Sequence, residues 1–149
     1  MAELWFYHLE RTGVDEALPE LLTKLTERGG RALIVSPDPE QVERLDGLLW
    51  TFRDEAFLAH GRADAPDADR QPILLSTEET NLNQAGMLFC LDGHAPEDAS
   101  AFERSIVMFD GGDETRVRSA RDLWRKAKAD GLSVSYWKQT PEGRWEKKA

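Results

Sequence analysis

Asp110, Asp113 and Glu114 follow the apolar run Ser105–Phe109, and Asp92 ends another apolar run, Met87–Asp92. Carboxylates at the carboxyl ends of parallel strands are a common seat for Mg²⁺. Asp92, Asp110 and Asp113 together would suit a Mg²⁺-dependent phosphoesterase. No lysine or histidine at a matching strand end supplies a second catalytic element. The plainer assignment makes Asp113 the cap of the next helix and Glu114 a complement to that helix's positive end. It outweighs the catalytic one, so neither a metal site nor a cofactor is expected.

The second group is cationic. Thr115–Asp130 reads as a helix that, up to Lys128, carries Arg116, Arg118, Arg121, Arg125, Lys126 and Lys128 against Asp122, a local charge of +5 in a chain of net −9. Val117, Arg121, Trp124 and Lys128 recur at i, i+4, i+7 and i+11 and share a side, with Arg125 at its border. Arginine grips a carboxylate with two parallel hydrogen bonds. A tryptophan between two cations is a poor design for a merely solvated face. The chemistry this pattern suits is capture of an anionic ligand with an apolar or aromatic anchor. In the alternative, Trp124 and Val117 face the core and the cations flank them with their stems.

Other reactive types are scattered. His8, His60 and His94 have no metal-ligand spacing, and each is expected to be structural or incidental. Cys90, the single cysteine, lies inside a strand pattern without a nearby histidine and is expected to pack as a small apolar residue. It also rules out an internal disulfide and fits a reducing cytoplasm. There is no GxGxxG after the first strand, no P-loop and no GxSxG. Gly29-Gly30 ends a helix. An acidic chain is a poor general nucleic-acid binder, so any nucleic-acid role is expected to run through a protein partner. No apolar run approaches the roughly 20 residues of a membrane span, and MAELWFYHLE lacks the plan of a secretion signal.

The elements that must position these groups alternate. Strands are expected at Leu4–Leu9, Arg31–Ser36, Pro72–Ser76, Met87–Asp92, Ser105–Phe109 and Leu132–Lys138. Helices are expected at Asp15–Arg28, with Pro19 in its first turns, and from Asp38 to about Trp50, with Pro39 at N1 and Gln41 completing a capping box. A short helix is expected at Pro96–Phe102 and a short ordered segment at Ala56–Ala59. His60–Arg70 reads as a solvated loop. Thr140–Gly143 is a turn signature, so Arg144–Glu146 is expected to fold back as an edge hairpin within 132–149. The fold class is α/β: one domain over 1–149, a Rossmann-like three-layer sandwich around a mainly parallel sheet.

The segments FYHLER, RLDGLLWTFRDEAFLAHG, PILLS, IVMFDGGDE and ARDLWRKAKADG…YWKQTPEGRWEKKA span nearly the whole chain in order. Together they resemble the chi subunit of the bacterial DNA polymerase III holoenzyme. The resemblance implies a non-catalytic, cytoplasmic accessory subunit of the clamp-loader complex. Such a subunit pairs with psi and binds the acidic C-terminal tail of single-stranded-DNA-binding protein (SSB), a tail ending in phenylalanine, without direct DNA binding. Carried over by position, the tail pocket falls on Trp50, Phe57, Val117, Arg121, Trp124 and Lys128. Arg121 would take the terminal carboxylate, and Trp124, Trp50 and Phe57 would pack the phenylalanine. Lys128 and Arg125 would attract the acidic residues upstream. The position of Val117 can carry lysine in the family; here Arg116 or Arg118 would supply that charge. The C-terminal extension is longer than in the enterobacterial form and has no assigned role beyond the hairpin.

Overall fold

Ala32–Val35 is apolar and buried at every position, so a strand there must be covered on both faces. Ile73–Ser76 is likewise buried at every position, and so is the centre of Arg104–Asp110. The computed structural model describes residues 3–10, 13–51, 60–91, 94–142 and 144–148. In chain order its elements are β1 (Glu3–Leu9), α1 (Val14–Glu27), β2 (Ala32–Val35), α2 (Pro39–Thr51), β3 (His60–Arg62), β4 (Ile73–Ser76), β5 (Met87–Cys90), β6 (Arg104–Asp110), α3 (Glu114–Ala129), β7 (Ser133–Gln139) and β8 (Trp145–Lys147). Single 3₁₀ turns lie at Ala68–Arg70 and Ala99–Ala101.

Among the described residues the strands form one sheet in the order β3-β4-β2-β5-β6-β1-β7-β8. Every neighbouring pair is parallel except β7 with β8. Alternation along the strands splits the core into two layers. Tyr7, Ile34, Ile73, Phe89 and Met108 face Leu18 and Leu22 of α1 and Val42, Leu45 and Leu49 of α2. Phe6, Leu33, Val35, Leu74, Val107 and Phe109 face Ala120 and Ala127 of α3. This is the expected three-layer α/β sandwich. Gly29 and Gly131, at φ of +77° and +83°, end α1 and α3 in the left-handed conformation that favours glycine.

Four local expectations need correction. His60–Arg62 is not loop but a short strand pairing with β4; its histidine is buried and bonds the Asp46 carbonyl at 3.0 Å. Three residues are too few to leave a periodic signal. Pro96–Phe102 supplies only the 3₁₀ turn, capped by Asp98, which accepts from Ser100 N at 3.1 Å. The capping box of α2 is relayed: Gln41 Oε1 accepts from the Ser36 hydroxyl, which in turn accepts from Asp38 N at 3.2 Å. Pro19 lies inside α1, past the amides that lack helical partners, so it removes one interior hydrogen bond. The Ala56–Ala59 segment lies outside the described residues.

Candidate functional site

Asp113 starts α3: its Oδ1 accepts from Thr115 N and Arg116 N at 3.1 and 3.2 Å, and its Oδ2 accepts from Arg116 Nε at 3.1 Å. From this cap, Ala120 and Ala127 point into the core because only small side chains let the helix approach the sheet. Val117 and Trp124 flank that seam and are half-buried against the core. The Trp124 ring stands edge-on to Phe6 of β1 and Tyr136 of β7, with centroids 5.8 and 6.0 Å apart. Lys128 Nζ lies 5.8 Å from the Trp124 centroid, within cation–π range. Arg121, Arg125 and Lys128 are exposed. Arg125 pairs with Asp122 at 3.6 Å, a solvated contact of little energetic weight. The result is a shelf with a half-sunk aromatic floor and cations above it. The Trp124 ring packs on the core and also borders the cations.

Below the shelf lies a polar chain that the sequence did not reveal. His8 Nδ1 is 2.7 Å from Tyr136 Oη, and the Arg121 charge lies near enough to act on the same hydroxyl electrostatically. On the other side of the ring, His8 Nε2 is 2.8 Å from Glu10 Oε1, and Lys138 Nζ is 3.4 Å from that oxygen. The Nε2 contact lies off the ring's donor direction, so it acts as charge proximity rather than an aligned hydrogen bond. Gly111 closes the cluster: a Cβ there would overlap His8 Nε2 and come within 2.6 Å of the Leu9 carbonyl oxygen. Burial raises the Tyr136 pKa and Arg121 pulls it back. Burial lowers that of His8, with Glu10 opposing and Lys138 and Arg121 assisting. A histidine held neutral in the fold but free to protonate when unfolded costs stability as pH falls below its unfolded value of about 6.5. Urea midpoints of wild type should therefore drop more between about pH 7.5 and 5.5 than those of His8→Gln; parallel curves would contradict this.

Trp50 does not join the shelf, which corrects the single pocket expected from position. It is 53% exposed at the end of α2, on the opposite face of the sheet, with its ring 4.6 Å from that of His60 on edge strand β3. Five strand spacings of about 4.8 Å put β3 roughly 24 Å across the sheet from β1. Phe57 and Asp92 lie outside the described residues. Asp110 is turned to its own backbone, accepting from Gly112 N at 2.8 Å, and Asp113 is the helix cap. Among the described residues no group of three or more His, Cys, Asp or Glu side chains could hold a metal ion. Cys90 is buried, and burial raises its thiol pKa far above the ordinary range. No described helix is long and apolar enough to cross a membrane.

The family model described as "DNA polymerase III chi subunit, HolC" matches residues 1–135. The chain is 24% identical to a probable DNA polymerase III subunit chi of Rickettsia prowazekii, covering 99% of this chain and 92% of that one. It is 32% identical to DNA polymerase III subunit chi of Pseudomonas aeruginosa over 76% of this chain and 78% of that one. The Escherichia coli chi subunit is 24% identical over 85% and 88% of the two chains. Among solved structures, the C-terminal domain of S. cerevisiae Dbp5 superposes with a TM-score of 0.54 at 15% identity, over 91% and 90% of the two chains, a likeness of fold alone. With a family model covering nearly all of the chain and homologues of that name along its length, this protein belongs to the DNA polymerase III chi subunit family.

Proposed function

We propose that this protein is a non-catalytic accessory subunit that binds the acidic C-terminal tail of SSB on the α3 shelf. It would thereby link SSB to the clamp-loader complex in the cytoplasm, through psi where the host has one. The observation that carries the reading is the half-buried Trp124 ring, flanked by Arg121 and Lys128, on a strongly basic helix of an acidic chain. Arg121 would receive the terminal carboxylate, Val117 and Trp124 the terminal phenylalanine ring, and Arg125 and Lys128 the acidic residues before it. Membership of a polymerase subunit family supports the setting, and the net charge of −9 argues against direct binding to DNA.

One anchor and a few exposed ion pairs should bind with a dissociation constant on the order of micromolar. Exposed pairs are screened over about 10 Å at 0.1 M salt. Titration of a labelled tail peptide should therefore show affinity falling steadily as NaCl rises, and a peptide without its last phenylalanine should bind much less well. Salt-independent binding, or equal binding of the shortened peptide, would overturn the reading.

A further inference from the structure

The geometry points to Tyr136 as a positioning residue for Trp124, holding the indole in the orientation that meets the tail's terminal aromatic side chain; this rests on the shelf being the tail site. Tyr136 lies one residue beyond the segment matched by the family model. Register puts it on β7 beside Phe6 of β1. The two rings stack, 15° apart in plane with centroids at 6.2 Å. Trp124 stands across both, at 87° to Tyr136 and 73° to Phe6, with centroids at 6.0 and 5.8 Å. Perpendicular ring contacts of this kind are favourable and directional. Lys128 also borders the indole, at 5.8 Å, but a long flexible stem cannot fix a ring. The restraint has to come from the sheet.

Tyr136 has little freedom of its own. Its hydroxyl is tethered to His8 Nδ1 at 2.7 Å, and the rings of Phe109 and His8 close on it with centroids at 6.1 and 5.9 Å. His8 is buried and packed against Gly111, where a Cβ would overlap it. Restraint therefore runs outward from the core: β6 and its turn fix His8, His8 fixes the hydroxyl, and the tyrosine ring fixes one flank of Trp124. An anchor that is already immobile loses less side-chain entropy on binding, worth about two- to tenfold in affinity for one side chain. Tyrosine suits the task because it supplies both the flat ring and the tethering hydroxyl. Leucine would keep apolar bulk and supply neither.

Anisotropy titration of a labelled SSB tail peptide tests this on the full chain. Tyr136→Leu should weaken binding about five- to tenfold, and Tyr136→Phe, which loses only the tether, about two- to threefold. In a Trp124→Ala background, or with a peptide whose last residue is alanine, Tyr136→Leu should change affinity less than about twofold. The tyrosine acts only through the indole, whereas a merely structural role would persist in both cases. Fluorine NMR of the protein labelled with fluorotryptophan reads the ring directly. The Trp124 line, identified by its loss in Trp124→Phe, should shift or broaden in both Tyr136 variants. The line of Trp50, on the other face of the sheet, should stay in place. A Trp124→Ala protein that binds normally would overturn the tail site itself. Loss with Trp124→Ala but none with Tyr136→Leu, or equal losses for Tyr136→Leu in both backgrounds, would overturn the positioning role alone. If Tyr136→Leu does not fold, Tyr136→Phe decides: an unchanged affinity and an unchanged Trp124 line overturn the role.

Discussion

Replacing Arg121 and Trp124 together with alanine should weaken binding of the SSB tail peptide about 30-fold or more, with the fold intact by circular dichroism. Truncating an aromatic anchor and its neighbouring arginine removes the two kinds of contact that dominate small interfaces. The peptide would lose its bidentate carboxylate partner and the half-sunk ring against which its last side chain packs. Arg121→Ala alone should cost about tenfold. The stability cost of the double change is moderate, because Arg121 is exposed and Trp124 is only half-buried. Trp50→Ala is the sharp contrast. Trp50 is also a large, exposed aromatic, but it lies on the other face and at the far edge of the sheet. Its removal should leave tail affinity unchanged. Wild-type affinity in the double variant would defeat the shelf; a large loss in Trp50→Ala would show that the tail reaches across the sheet after all.

Phe6→Ala should destabilise the fold by about 3–5 kcal/mol and lower the thermal midpoint by roughly 10 °C or more. Phe6 is fully buried in the middle of β1, a strand flanked on both sides. Its ring stacks on Tyr136 at 6.2 Å and meets the edge of Trp124 at 5.8 Å. Neither neighbour can collapse into the gap without leaving its own strand or helix position, so the cavity stays largely open. The hole would lie directly under the shelf, so tail affinity should also fall, though less than in the double variant. Urea denaturation gives the stability term; a loss below about 1 kcal/mol would mean that the core beneath α3 repacks freely.

The parts legible in the sequence were those written in one short window. The continuous apolar runs of β2, β4 and β6 announced a sheet covered on both faces, and the Arg121–Trp124–Lys128 spacing placed three shelf residues on one side of a helix. Information carried by register was invisible. His8 and Tyr136 are 128 residues apart and meet only because β1 and β7 pair in parallel with Phe6 opposite Tyr136. Nothing local to His8 distinguishes it from an incidental histidine. The grouping of Trp50 with Trp124 failed for the same reason: residue types can suggest a shared pocket, but the crossovers decide which face each helix covers. The three-residue strand β3 left no pattern because it completes fewer than two periods of either template.

The place of β1 in the sheet has a consequence for how the chain must be made. Its neighbours are β6 and β7, both encoded near the opposite end of the polypeptide. While the chain emerges from the ribosome, Leu4–Leu9 has no lateral partner until more than two thirds of the residues have followed. The aromatic segment LWFYHL therefore waits unpaired, and closure of the sheet is a late, long-range event that carries a large loop-closure cost. During that interval the segment is the part of the nascent chain most in need of shielding from other unpaired strands.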